Sequence, residues 1–252
     1  MTYCIGMLVD TGLVMLSDSR TNAGVDQVST YRKMFTFVRP GERAMVLMSA
    51  GNLATTQAVV NLLTETKAAE PTEADDPGRT GSAATLLTAD DMFDAARVVG
   101  SALREIYRRD AKALESQGHE FNASFILGGQ IRGQLPRLFH IYSAGNFIEA
   151  TTDTNYFQLG ESKYGKPIID RVISRSSSLS QAAKCALVSM DSTIRSNLSV
   201  GLPLDLAIIK RDECRLHTHL SIDGDNPYFS LIRRRWGEAL QEVFSELPNP
   251  SW

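Results

Sequence analysis

TYCIGMLVDTGLVMLSDSR (2–20) decides how the rest of this sequence is read. It holds two short apolar runs, 3–9 and 13–17, separated by Asp10-Thr11-Gly12, a turn signal of the hairpin kind. Both runs are apolar on nearly every residue, which predicts strands covered on both faces. One residue ahead of the first run stands Thr2. Loss of Met1 would leave a hydroxyl amino acid at the head of a strand, and the sequence is read with no leader or pro-segment before it. Thr2 is either a nucleophile or merely the first residue of a strand, and the remainder of the chain has to decide.

Outward from this hairpin, 33–38 and 44–50 form a second one across Pro40-Gly41. A helical period follows over 53–66, an exposed loop rich in Pro, Gly and acidic residues over 71–82, and a long helix over 91–116. Strand signals return at 123–128, 137–143, 147–150 and 156–159. A helix over 180–195 takes Ser180 as its N-cap. Late strands cover 204–210 and 215–220. Asn226-Pro227 opens a last helix, to about 247, with Phe229, Ile232, Trp236, Leu240 and Phe244 on one stripe. Hairpins followed by paired helices predict an α+β fold: a four-layer αββα sandwich of two antiparallel sheets covered by helices. No composition break divides the 252 residues, so 1–252 is read as one domain with an appended C-terminal helix at about 226–247.

Composition narrows the functions. A net charge of −3 with pI near 5.8 gives no electrostatic motive for binding nucleic acid or an anionic membrane. Three scattered cysteines, Cys4, Cys185 and Cys214, fit reduced thiols in a cytoplasmic protein. No apolar run reaches the ~18 residues of a membrane span. Neither a metal nor a cofactor is expected, because His217 and His219 have no third ligand nearby. The single VDTG (9–12) lacks the second copy that an aspartic-protease dyad needs. Arg233, Arg234 and Arg235, followed by Glu238, Glu242 and Glu246, read as a solvated, ion-paired helix face.

A free N-terminal threonine carries its own base, since its α-amino group can take the hydroxyl proton. Such a site needs a cation beside the hydroxyl, a carboxylate to hold the cation, and a backbone N–H for the oxyanion. Asp18 ends the second run, Lys33 begins the third, and Gly51 follows the fourth at the head of a helix. On spacing alone, Asp18, Arg20 and Lys33 equally suit a surface ion-pair cluster.

TYCIGMLVDTGLVMLSDSRTNAG, then YRKMF (31–35) and LMSAGNLAT (47–55), resembles the start of a proteasome β-type subunit of the N-terminal nucleophile hydrolases. The likeness extends through FILGGQIRGQLPRLFHIYSAGNFIEA (125–150) to LPLDLAIIKRD (202–212). SDSRTNAG, STYRK (29–33) and the acidic loop look most like its bacterial branch, the Anbu family. The resemblance implies Thr2 as nucleophile, Asp18 and Lys33 as the charge pair and Gly51 as oxyanion donor. It implies Thr21 and Asn22 as the segment that pairs with an extended substrate, and Ser49 and Leu53 as a pocket wall. Two supporting positions depart from the family pattern. LGESK (159–163) puts Glu161 or Ser162 where a serine is expected, and SNLSVG (196–201) puts Ser196 or Asn197 where an aspartate is expected, with Ser199 nearby. The implied activity is a threonine-type peptidase or amide hydrolase acting through Thr2, with a peptide or amide substrate and no cofactor. A narrow amidase on a small peptide-like metabolite and a non-catalytic ring scaffold are the alternatives. Self-association into a ring or spiral homo-oligomer is implied as well, with no unfoldase partner identified.

Overall fold

Every strand of the first hairpin is buried along its whole length, and this follows from where the sheet lies. The computed structural model describes residues 2–22, 28–65, 85–118 and 120–252; the 71–82 loop falls outside them. β1 (Tyr3–Val9) and β2 (Gly12–Asp18) pair antiparallel from Val9↔Gly12 to Cys4↔Ser17 across Asp10-Thr11. β3 (Arg20–Asn22) and β4 (Val28–Thr30) make a small ribbon. β5 (Met34–Arg39) and β6 (Arg43–Gly51) form the second hairpin, and β6 leads into α1 (Leu53–Glu65). α2 (Met92–Ser116) precedes β7 (Ala123–Ile131), β8 (Arg137–Ile141), β9 (Phe147–Glu149) and β10 (Tyr156–Gly160). A 3-10 turn at Ser162–Tyr164 leads to α3 (Lys166–Val172) and α4 (Leu179–Ser196). β11 (Leu204–Lys210), β12 (Thr218–Ile222) and α5 (Pro227–Glu246) complete the order.

Two five-stranded antiparallel sheets result, β10-β1-β2-β11-β12 and β5-β6-β7-β8-β9. Strand alternation sorts their side chains into three cores. Tyr3, Ile5, Met7, Val14 and Leu16 face α3, α4 and α5, whereas Cys4, Leu8, Leu13 and Met15 face the other sheet. In β6, Met45 and Leu47 meet α1 and α2, and Val46, Met48 and Ala50 meet the first sheet. Four layers thus stack as α1/α2, sheet, sheet, α3/α4/α5. Each fully buried Leu, Ile, Met or Phe stabilises this by about 1.5–3 kcal/mol.

Several local expectations are corrected. α4 is capped by Ser178, not Ser180: the Gln181 N–H donates to Ser178 Oγ at 3.2 Å and the Ser178 N–H to Gln181 Oε1 at 2.9 Å. That reciprocal box stabilises a start two residues earlier. β12 begins at Thr218, because 211–217 is spent on a turn in which Asp212 and Cys214 take positive φ. The β3–β4 ribbon and α3 have no strong periodic signal in so few residues. Arg234 and Arg235 are exposed and pair with Glu238, but Arg233 takes its partner from another helix: its Nε donates to Asp191 Oδ1 at 2.8 Å, and that carboxylate is 1% exposed. The α5 stripe is also split. Phe229 and Ile232 are buried and Trp236 packs against them, but Leu240 and Phe244 are exposed. Cys4, Cys185 and Cys214 are free and buried. Among the described residues no helix is long and apolar enough to cross a membrane, and no cluster of His, Cys, Asp or Glu could hold a metal ion.

Candidate active site

Thr2 is 8% exposed and sits between two strands that fix its main chain. Its carbonyl accepts the Glu161 N–H at 2.8 Å. One residue on, the Tyr3 N–H donates to Asp18 Oδ1 at 3.0 Å. Asp18 lies at the end of β2, fully buried, and Lys33 Nζ donates to the same oxygen at 2.7 Å. Lys33 Nζ also donates to the Arg20 carbonyl at 2.6 Å, while the Gly201 N–H reaches Asp18 Oδ2 at 3.4 Å. Burial raises the Asp18 carboxyl above its ordinary range, against the pull of Lys33 and the two N–H groups. These neighbours are all donors, the environment of a carboxylate and not of a protonated acid. The peptide bond that follows Thr2, the carboxylate and the buried ammonium are therefore one hydrogen-bonded unit.

Lys33 stands immediately before β5 and is held by its own backbone, whose carbonyl accepts the Ser49 N–H at 2.9 Å. Gly51 ends β6 with φ +118, and an added Cβ would lie 2.2 Å from the Asn122 carbonyl oxygen, so only glycine fits there. Asn52 then caps α1 by accepting the Thr55 N–H at 3.2 Å.

A cleft of about 760 Å³ opens over Thr2, with Thr21 of β3 and Tyr31 on one side and Ala50, Gly51 and Leu53 on the other. Thr2, Thr21, Gly51 and Leu53 thus share one cavity; Asp18 and Lys33 do not line it and join it through the Tyr3 N–H, one residue from Thr2. Of Asn22, the backbone is described, at the end of β3 opposite Val28.

Other expected residues lie elsewhere. Ser49 is buried off the cleft, because alternation along β6 turns it with Leu47 toward the helices and gives the cleft Ala50. Ser162 lines a separate hollow with Lys166 and Asp170, whereas Gly160 and Glu161 of that segment line the Thr2 cleft. Ser196 is an exposed end of α4, and the Ser199 N–H donates to Asn197 Oδ1 at 2.9 Å within their own turn. The 196–201 segment instead reaches the Asp18 cluster through backbone: the Gly201 N–H on Asp18, and the Leu198 carbonyl accepting Arg20 Nη1 at 3.0 Å. Asp10 of the VDTG turn is at the opposite end of β1, exposed and paired with Arg175. Asn122 and Ser124 line the cleft without any motif of their own, and so do Ser29 and Tyr31, which lie in STYRK but carried no site role there. Their pairing with β3 or with the end of β6 was the signal available.

Gly160 gives a direct test of how tightly Thr2 is seated. It has φ +76, and an added Cβ would fall 1.8 Å from the Thr2 carbonyl oxygen. Gly118 has nearly the same φ, +74, with nothing within 4 Å. Gly160→Ala is expected to cost about 2–4 kcal/mol in urea denaturation, strain plus overpacking. Gly118→Ala is expected to cost about 1 kcal/mol, strain alone. Equal losses would mean that the Thr2 carbonyl is not held as described.

The αββα sandwich with this cluster at the head of β1 defines the class, a proteasome homologue of the N-terminal nucleophile hydrolase fold. No family model and no curated protein matches the chain. Solved structures do. Anbu (ancestral beta-subunit) from Yersinia bercovieri is 51% identical, over 99% of this chain and 100% of that one, with a TM-score of 0.88. Anbu from Hyphomicrobium sp. strain MC1 is 48% identical over 99% and 100%, with a TM-score of 0.88. The helical assembly of the Anbu complex from Pseudomonas aeruginosa is 48% identical over 98% of both chains, with a TM-score of 0.89. The chain belongs to the Anbu family of bacterial proteasome homologues.

Proposed function

We propose that the protein is a threonine-type hydrolase of peptide or related amide bonds, acting through Thr2 once Met1 is removed. The observation that carries this reading is the Lys33–Asp18 pair, bonded to the Tyr3 N–H one peptide away from Thr2 beneath an open cleft. The Thr2 hydroxyl attacks the carbonyl while its own α-amine takes the proton. The buried Lys33 ammonium favours the developing alkoxide, and the Gly51 N–H receives the oxyanion. The α-amine then returns its proton to the leaving amine, and water resolves the acyl-enzyme. An extended substrate adds a strand between Thr21 of β3 and the end of β6. The protein works in the cytoplasm. The helical assembly of the Pseudomonas aeruginosa relative supports self-association of this chain as well.

The test is intact mass followed by labelling. Protein from its native host is expected to lack the initiator methionine, and a peptide epoxyketone is expected to add once, at Thr2. The labelling rate is expected to rise with pH through about 7.7–8.0, as the α-amine loses its proton and becomes a base. A mature mass that retains Met1 sinks the nucleophile reading and favours a non-catalytic scaffold.

A further inference from the structure

We infer that Glu161 makes the Thr2 cleft selective for amide substrates that carry a positive charge near the scissile bond. This rests on the hydrolase reading above and deepens it.

β1 and β10 pair through Tyr3↔Gly160 and Cys4↔Leu159, so Thr2 and Glu161 are the next partners along the ladder, joined by the Glu161 N–H to the Thr2 carbonyl at 2.8 Å. Both residues line the cleft. The other described side chains around it are hydroxyls, carboxamides and small apolar groups, so Glu161 is the one described lining residue charged at neutral pH.

Its side chain is only 14% exposed. The ion pair it makes is with Lys163 Nζ at 3.5 Å, and Lys163 is 70% exposed, a geometry that offsets little charge. Lys33, the cation beneath the cleft, is already bonded to Asp18 at 2.7 Å. The cleft thus has a weakly compensated carboxylate on its β10 side, and Gly51 with the start of α1 on its β6 side. A substrate carbonyl suits the second wall. A cation suits the first, because a partly desolvated carboxylate gains most from a charged donor. An acidic group there would meet like charge. The positive group is either a Lys or Arg side chain or the free α-ammonium of a short peptide.

The experiment uses mature protein whose loss of Met1 has been verified by mass. Epoxyketone probes alike except for a lysine, norleucine or glutamate side chain are each made with a free and an acetylated N-terminus. The rate of Thr2 labelling is read by intact mass. A cationic probe is expected to react about tenfold faster than its neutral isostere, and the glutamate probe more slowly than both. In Glu161→Gln the cationic-to-neutral ratio is expected to fall to about one, and in Glu161→Lys to invert; the ratio, not either rate, is the readout. Preference for the lysine side chain assigns the charge to the substrate side chain. Preference for the free amine assigns it to the N-terminus. Equal rates for all charges in the parent overturn the inference and leave the hydrolase reading standing. A ratio unchanged in Glu161→Gln does the same, as does a variant that shifts only the pH profile, since Glu161 would then serve the Thr2 amine. No labelling by any probe overturns both readings.

Discussion

Replacing Lys33 by alanine is expected to slow labelling of Thr2 about 10²–10³-fold, the loss typical of one charge-stabilising donor. It is also expected to destabilise the fold by about 3–5 kcal/mol, because Asp18 would keep its burial and lose its ammonium partner. The two effects separate by pH. Burial already raises the Asp18 carboxyl, and without Lys33 it rises further. A carboxyl raised in the fold costs stability above its unfolded pKa of about 3.9, and that cost fades as pH falls and the native state takes up the proton. The stability deficit of Lys33→Ala is therefore expected to be large at pH 7 and to shrink toward pH 4 in denaturation curves. Lys33→Met combined with Asp18→Asn removes both charges. It should recover much of the stability while labelling stays lost. A single variant that labels at the parental rate ends the assignment of Lys33.

The parts of the site legible in the sequence are those fixed by strand ends. Asp18 closes an apolar run, Lys33 opens one, and Gly51 separates a strand from a helix, so antiparallel pairing sets Asp18 beside the chain start and Lys33 beside the end of β6, and the stacking of the two sheets brings these ends together. The four layers were legible for the same reason: runs apolar on both faces leave no polar side for solvent. Misplaced residues are those that depend on parity or on a turn. Ser49 and Ala50 are neighbours, yet β6 sends one toward the helices and the other to the cleft. Glu161 and Ser162 divide between two hollows because positive φ at Gly160 and a 3-10 turn follow the strand directly. Arg233 read as pairing along its own helix because its partner, Asp191, lies 42 residues away on α4. Local charge spacing carries no trace of such a contact.

Cutting the chain at two points along α5 should separate what this helix does for its own fold from what it does between copies. Its first half belongs to the core. Phe229 and Ile232 are buried, and Arg233 reaches the buried Asp191 carboxylate, which Arg195 Nε approaches from the exposed side at 3.4 Å. A chain ending at Asp225 loses both apolar side chains and the main partner of that carboxylate. A loss of about 5 kcal/mol or more is expected, enough to unfold a marginal domain. The second half has a different character. Leu240 is 51% exposed, Val243 57%, Phe244 78% and Leu247 59%, an apolar strip on a helix whose other contacts end near Trp236. A strip of this kind left in water is a surface that associates, and the proposed self-association supplies a second copy to cover it. A chain ending at Gly237 keeps the buried half and loses the strip. It is expected to melt within about 2 °C of the parent, since surface truncations away from core contacts change stability by about 0.5 kcal/mol or less. Its mass by light scattering at matched concentration is expected to fall from that of an oligomer to that of a monomer. Head-to-tail contacts are lost together when one of the two complementary surfaces is removed, so the fall should be complete and not stepwise. An oligomer of unchanged mass would place the assembly contacts on the sandwich itself and leave the strip without a role between copies.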